Sequence, residues 1–169
     1  MNPYLLELPA VVAFSGGRTS GFMLRHILDA HEGQPDDLKV VFNNTGLEHK
    51  ATYDFVQMCG TRWGVDIVWL EYCVNAQDEH DVKVVDYDSA SRDGEPFSTL
   101  ITKKGGTLPT PVNRWCSSNL KMRTLDRYLK KLPGFCDGYT NALGLRYDEP
   151  RRALRVKADN GREEVYCPM

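Results

Sequence analysis

Apolar residues along this chain fall into short unbroken runs, separated by stretches with helical spacing. Ala10 to Phe14 (AVVAF) is uninterrupted and stops at Ser-Gly-Gly; such a run reads as a strand buried on both faces of a parallel sheet. From Ser20 to about His31 the period changes. Met23, Ile27 and Ala30 recur at spacings of four and three, which marks one face of a helix. Leu38 to Phe42 (LKVVF) predicts a second strand, ending in the polar turn NNTG, and Lys50 to about Arg62 a second helix with Ala51, Phe55 and Cys59 on one stripe. Val65 to Leu70 (VDIVWL) predicts a third strand. The order β-α-β-α-β with short connections predicts an α/β fold: a doubly wound, mostly parallel sheet flanked by helices, with right-handed crossovers.

Beyond Asn75 the pattern weakens. KVVDYD reads as a short strand or an extended loop, and GEPFSTLITKKGG as a short helix with Pro96 near its first turn and Gly105 at its end. A helix from about Ser117 to Lys131 follows, capped by Ser117 or Ser118 and stopped by LPG. Tyr139 to Leu143 predicts a fourth strand, and the tail a hairpin turned at Asp159-Asn160-Gly161.

With 169 residues the chain is long enough for one domain with a substantial core. A net charge of -2 gives no general reason to expect binding to nucleic acid or membrane, and no clear basic stripe stands out, although Arg151-Arg152 is a local basic pair. No apolar segment approaches the roughly 20 residues that span a bilayer. The first residues, MNPYLLELP, lack a basic stretch followed by a long apolar one, so no signal peptide is expected. Five cysteines without paired spacing argue against a disulfide framework and fit a reducing cytoplasm.

The polar clusters share a position. SGGRTS follows the first strand, NNTGLEH the second and GLRYDEPRR the fourth. Ligands of open α/β sheets bind beyond the carboxyl ends of the strands, so three such clusters point to one crevice. In SGGRTS, Gly16 and Gly17 let the backbone approach an anion, the following helix N-terminus aims N–H groups at it, and Ser15 and Ser20 add hydroxyls. A Walker loop fails here: five residues before Gly17 stands Val12, and Arg18 occupies the lysine position. Gly-x-Gly-x-x-Gly cannot be laid over Gly16, Gly17 and Gly21 either.

SGGRTS resembles the PP-loop of the adenine nucleotide α-hydrolase-like superfamily, commonly written Ser-Gly-Gly-x-Asp-Ser. Three further motifs resemble those of its phosphoadenosine phosphosulfate (PAPS) reductase-like branch. They are FNNTGLEH, RWCSSNLK (Arg-x-Cys-x-x-x-x-Lys) and GLRYDEPRR (Gly-x-Arg-x-x-Glu-x-x-Arg). The resemblance implies a single PP-loop nucleotide-binding domain over residues 1–169. It implies that Ser15, Gly16, Gly17, Arg18, Thr19 and Ser20 cradle phosphates, and that Asn44, Thr45 and Gly46 lie near the nucleotide. It makes Arg114, Lys121, Arg146 and Arg152 cations at the phosphate or sulfate, and Gly144 part of the same motif. ATP or PAPS is the implied nucleotide, able to carry Mg²⁺. Partners would be a sulfur donor or thiol reductant, with a nucleic-acid acceptor among those that relatives modify.

Two departures shape these expectations. Thr19 stands at the PP-loop aspartate position, with Glu48 the residue placed to substitute. The C-terminal cysteine segment that the family's reductases use has no counterpart, so the expected domain lacks a C-terminal segment. Cys116 and Cys167 are the candidate thiols, Cys116 as nucleophile; the resemblance also makes them two ligands of an iron–sulfur site. A [4Fe–4S] cluster needs four thiolates and is expected only in a longer form. Cys59, Cys73 and Cys136 are expected to be buried, inert thiols. Two chemistries stay open, α–β cleavage of ATP with adenylation of an acceptor and thiol-dependent reduction of PAPS. The alternative is a non-catalytic nucleotide-binding subunit of a nucleic-acid-modifying assembly.

Overall fold

A computed structural model describes residues 2–145 and the backbone of Glu164–Tyr166. Strand β1 (Ala10–Ala13) lies inside a six-stranded sheet of order β4-β3-β2-β1-β5-β6. β2 is Leu38–Asn44, β3 Ile67–Val74, β4 His80–Val85, β5 Thr140–Leu143 and β6 Glu164–Tyr166. β1 pairs parallel with both β2 and β5, Val12 lying opposite Val40 on one side and Ala142 on the other. Only the β3–β4 pairing is antiparallel among the described strands. The doubly wound, mostly parallel α/β sheet expected from the apolar runs is therefore what the chain forms.

Helix α1 (Arg18–Ala30) and helix α2 (Lys50–Trp63) cover one face of the sheet. Met23, Leu24, Ile27 and Leu28 of α1 pack with Val12, Phe14, Val40 and Phe42, each such side chain contributing about 1.5–3 kcal/mol when fully buried. α2 stops where Gly64 turns left-handed (φ 60°) and donates its N–H to the Gly60 carbonyl. The opposite face carries Val11, Val41 and Leu70 against Leu125, Leu129 and Phe135.

Three predicted elements need correction. β3 starts two residues late and runs on to Val74, because β4 pairs along it from Trp69 to Val74. β4 itself starts three residues before KVVDYD, the stretch read as strand or loop, ends inside it at Val85, and is a half-exposed edge. The helix expected from Ser117 starts at Trp115, with Arg114 at the N-cap and no side-chain cap, and Ser118 donates back to the Trp115 carbonyl (3.0 Å). It runs as α4 (Trp115–Ser117), a π-helical segment (Ser118–Arg123) and α5 (Thr124–Leu129). Within that widened turn the Thr124 hydroxyl donates to the Asn119 carbonyl (2.9 Å). α3 (Glu95–Lys103) forms as expected, with Pro96 in its first turn and Gly105 (φ 65°) just beyond its end. The expected hairpin turn at 159–161 lies outside the described residues.

Candidate functional site

β1 sends its helix toward β2, while β5 lies on its other side. That divergence is a topological switch point, and in such sheets it opens a crevice at the carboxyl ends of the two strands. The loop Ser15-Gly16-Gly17 fills the β1 side of it. Gly16 is buried at φ 71°, and a Cβ there would sit 2.6 Å from Thr52 Cγ2 and 2.9 Å from Val56 Cγ2. Only glycine lets the loop pass this close to α2. Gly17 differs: it is the N-cap of α1 in extended conformation (φ -90°, ψ 159°), without a side-chain cap. A Cβ on it would meet only Ser15 Oγ at 3.5 Å and Ser20 Oγ at 4.0 Å.

Those hydroxyls lie 2.9 Å apart, and Ser20 Oγ donates 3.0 Å to the Gly17 carbonyl. An exposed loop, an uncapped helix N-terminus with no acidic residue in its first turn, and two hydroxyls thus face the same space. Unsatisfied N–H groups and the helix dipole make such an end receptive to an anion. Gly144, one residue past β5, closes the other side: its Cβ would stand 3.2 Å from Ser20 Cα. Arg18 is exposed and Thr19 half-buried at the start of α1.

At the end of β2, Asn44 is fully buried and its amide is bonded internally. Nδ2 donates to Glu71 Oε1 (2.7 Å) and to the Ser91 carbonyl (2.8 Å), while Oδ1 accepts from Gly46 N–H (2.9 Å) and Tyr53 OH (3.2 Å). In this geometry Asn44 shapes the loop from within. Glu71, 1% exposed, also accepts from Ser91 N–H (2.6 Å) and pairs with Lys83 Nζ (3.3 Å). Glu48 accepts from the Thr45 hydroxyl (2.8 Å), the Thr45 N–H and Tyr53 OH (3.3 Å). Burial, then the negative charge of Glu48, pushes the Tyr53 phenol up to about 12. Gly46 (φ 80°) and Gly94 (φ 74°) let the β2 and pre-α3 loops touch: a Cβ on Gly46 would stand 2.8 Å from Gly94 Cα, and Gly94 N–H donates to the Gly46 carbonyl (2.9 Å).

Arg114 is exposed and donates Nε to the Pro111 carbonyl (3.0 Å); Lys121 is exposed on the π segment. Cys116 is half-buried against the cluster of Tyr72, Leu100, Trp115 and Leu120. Arg146, Arg152 and Cys167 lie outside the described residues. Among the described residues no group of three or more His, Cys, Asp or Glu could hold a metal ion. Cys59 is buried, its thiol pushed up to about 11 by burial, and Cys73 is half-buried and also raised; Cys136, expected inside, is exposed.

Sequence reasoning missed three residues. Glu71 sits inside an apolar strand, where nothing in the pattern marks it. Arg92 is held between Tyr53 and Tyr87, its Cζ 4.3 Å and 4.7 Å from the two ring centres. Asn43 Oδ1 is enclosed with no hydrogen-bond partner among the described residues; its alternation with Asn44 puts it on the opposite sheet face, that of Val41. A shallow cavity of about 400 Å³ between Asp66–Trp69 and Val84–Tyr87 lies at the far end of β3 and shares no residue with this crevice.

The family model described as phosphoadenosine phosphosulfate reductase domain matches residues 9–160. An uncharacterised nin region protein, ORF290, of Escherichia phage lambda is 31% identical over 153 residues, covering 84% of this chain and 49% of its own. Two uncharacterised proteins of Methanocaldococcus jannaschii are also similar. One is 30% identical over 122 residues (70% of this chain, 22% of the relative) and the other 27% over 153 (90% and 26%). The chain thus spans about half the length of the first of these relatives and a quarter or so of the others. No solved structure matches it.

Proposed function

The chain belongs to the phosphoadenosine phosphosulfate reductase domain family, and from that premise we propose that it binds an adenine nucleotide, ATP or PAPS, by its phosphates in the β1–β5 crevice. The carrying observation is the contrast between the two loop glycines. Gly16 is required by packing and backbone conformation, whereas Gly17 is strained by neither and leaves open the space in front of the Ser15 and Ser20 hydroxyls. A phosphate there would accept from the first N–H groups of α1 and from these hydroxyls. Arg114 and Lys121 supply cations for charge that grows as a phosphoanhydride or sulfate bond breaks. Asn44, Glu71 and Glu48 hold the neighbouring loop in shape.

The reaction is transfer at the nucleotide's phosphate or sulfate, as sulfonucleotide reduction or as ATP-dependent sulfur or adenylyl transfer. A second reading has its own observations: Thr19 replaces the loop carboxylate, and the Cys116 side chain packs in an apolar cluster. They favour a nucleotide-binding subunit without turnover. Incubation with ATP or PAPS, with an added thiol and separation of products, decides. AMP and pyrophosphate identify ATP cleavage, and adenosine 3′,5′-bisphosphate with sulfite identifies reduction. Unchanged nucleotide with saturable binding identifies the subunit. Absence of binding to either nucleotide refutes the proposal.

A further inference from the structure

The chain's charges are unevenly placed. Residues 102–131 hold eight cations (Lys103, Lys104, Arg114, Lys121, Arg123, Arg127, Lys130 and Lys131) and a single acid, Asp126. The other 139 residues hold 13 cations and 22 acids, so a net charge near zero conceals a basic segment. Folding does not dissolve it. Four of these cations, Lys103, Arg123, Arg127 and Lys131, lie beside the β3–β4 tip, and adding that tip's Asp78, Glu79, Asp81 and Lys83, with Lys83's partner Glu71, still leaves nine cations against five acids.

Within the segment Arg123 at the end of the π segment, Arg127 on α5 and Lys131 in the turn just past it recur at intervals of four and are all exposed, with about 6 Å of rise between neighbours at helical spacing. Two of the three are held by their own hydrogen bonds. Arg123 Nη1 donates to Asn119 Oδ1 (3.1 Å) and Arg127 Nε to the His80 carbonyl (3.1 Å). Lys131 reaches Asp81 (3.1 Å), and Lys130 beside it reaches Asp126 (2.9 Å). Lys103 meets Asp78 (2.6 Å), so these acids offset three lysines while both arginines keep their charge. The row's field is felt locally: burial, then Arg123 and Arg127, hold the His80 imidazole below its ordinary range, against the smaller opposing pull of Asp81. At its upper end the row starts in the π segment, which packs on β2 and β3, Leu120 lying against Tyr72.

We propose that the row Arg123–Arg127–Lys131 is a docking surface for a nucleic-acid strand, whose phosphates lie along the helix and lead to the carboxyl edge of the sheet. Guanidinium groups held in place suit phosphate oxygens, which they bind in a fork. The row spans about 12 Å along the helix and its C-terminal turn, or three to four phosphates at the 3.4 Å rise of one strand. This surface is independent of what occupies the β1–β5 crevice.

The test is fluorescence anisotropy with labelled 20-nucleotide single strands, RNA and DNA of one sequence, from 50 to 200 mM salt. The parent is expected to bind at 50 mM and weaken steeply with salt. The variant Arg123→Gln/Arg127→Gln/Lys131→Gln should bind at least tenfold more weakly, with a salt slope smaller by about 2, since each lost phosphate contact removes about 0.7 for a single strand. The control Arg25→Gln/Lys50→Gln/Arg62→Gln, an equal charge loss on the α1–α2 side, should bind like the parent. Arg127→Gln alone, lowering the slope by about 0.7, replaces the triple variant should thermal melting show that one unfolded. Absence of salt-sensitive binding at 50 mM overturns the proposal, as does equal loss in row and control variants. Leu108, Val112 and Met122 are exposed on the same segment. Binding to phosphatidylserine vesicles with none to either strand would therefore also overturn it.

Discussion

Substituting the two loop glycines one at a time separates folding from ligand binding. At Gly16 an alanine must adopt φ 71° with its Cβ 2.6 Å from Thr52 Cγ2 and 2.9 Å from Val56 Cγ2. The left-handed backbone costs about 1–2 kcal/mol and the overpacking about 1–3, together roughly 2–5 kcal/mol against a total stability of about 5–15. At about 2–4 °C per kcal/mol for a chain of this size, Gly16→Ala should melt roughly 4–20 °C below the parent. Gly17→Val meets neither cost: its backbone is extended and no atom lies closer than 3.5 Å to the new Cβ. Its stability should stay within about 1 kcal/mol, since a glycine N-cap exceeds an apolar one by only that much. It would, however, fill the space before the Ser15 and Ser20 hydroxyls. Losing two charge-assisted hydrogen bonds of about 1.5–3 kcal/mol each weakens nucleotide binding by 100-fold or more. Melting by circular dichroism and titration calorimetry with ATP and PAPS read the two effects. Parent-like affinity in Gly17→Val refutes the phosphate-loop assignment, and parent-like melting in Gly16→Ala refutes the packing argument.

Glu71→Ala should lower the urea midpoint by the equivalent of about 3–5 kcal/mol, because it removes an acceptor shared by Asn44 Nδ2 and Ser91 N–H in a buried site; a change under 1 kcal/mol would mean that the two loops do not depend on it. His31 accepts from the Leu6 N–H at 3.0 Å, and burial holds its imidazole below the ordinary value of 6.5. The native state therefore binds this proton less readily than the unfolded chain, so the associated stability is complete above pH 6.5 and declines as pH falls below it. His31→Gln should reduce the fall of the urea midpoint between pH 7.5 and 5, leaving the part due to His80, and an unchanged slope would refute the coupling.

Elements whose apolar spacing is unbroken were legible: β1, β2, β5, α1 and α2 fall within a few residues of their expected places. Legibility failed where neighbours decide. β3 reaches Val74 only because β4 pairs with it, and β4 alternates too weakly on its half-exposed edge to announce itself. The π segment follows from packing against two strands, which no helical period encodes. In the candidate site, the glycines carried clear signals because conformation and close approach restrict them to one residue type. Asn43 and Asn44 look alike in sequence, yet alternation sends them to opposite faces, one with its Oδ1 enclosed and unpartnered among the described residues and one bonded through its whole amide. Glu71 was invisible because a buried acid is defined by what surrounds it. The basic segment escaped notice for a simpler reason: its charge cancels in the chain-wide sum.

The pairing of β1 with β5 joins Ala10 to Thr140, closing about 130 residues of intervening chain. A contact this distant forms late and slowly compared with the neighbouring β-α-β units, since its loop entropy must be overcome first. Residues 10–74 can build strands, helices and the glycine loop during synthesis, yet the crevice has one wall until residue 144 has left the ribosome. A growing chain would therefore emerge with its glycine loop formed and the crevice one-sided until the β1–β5 pairing supplies the second wall.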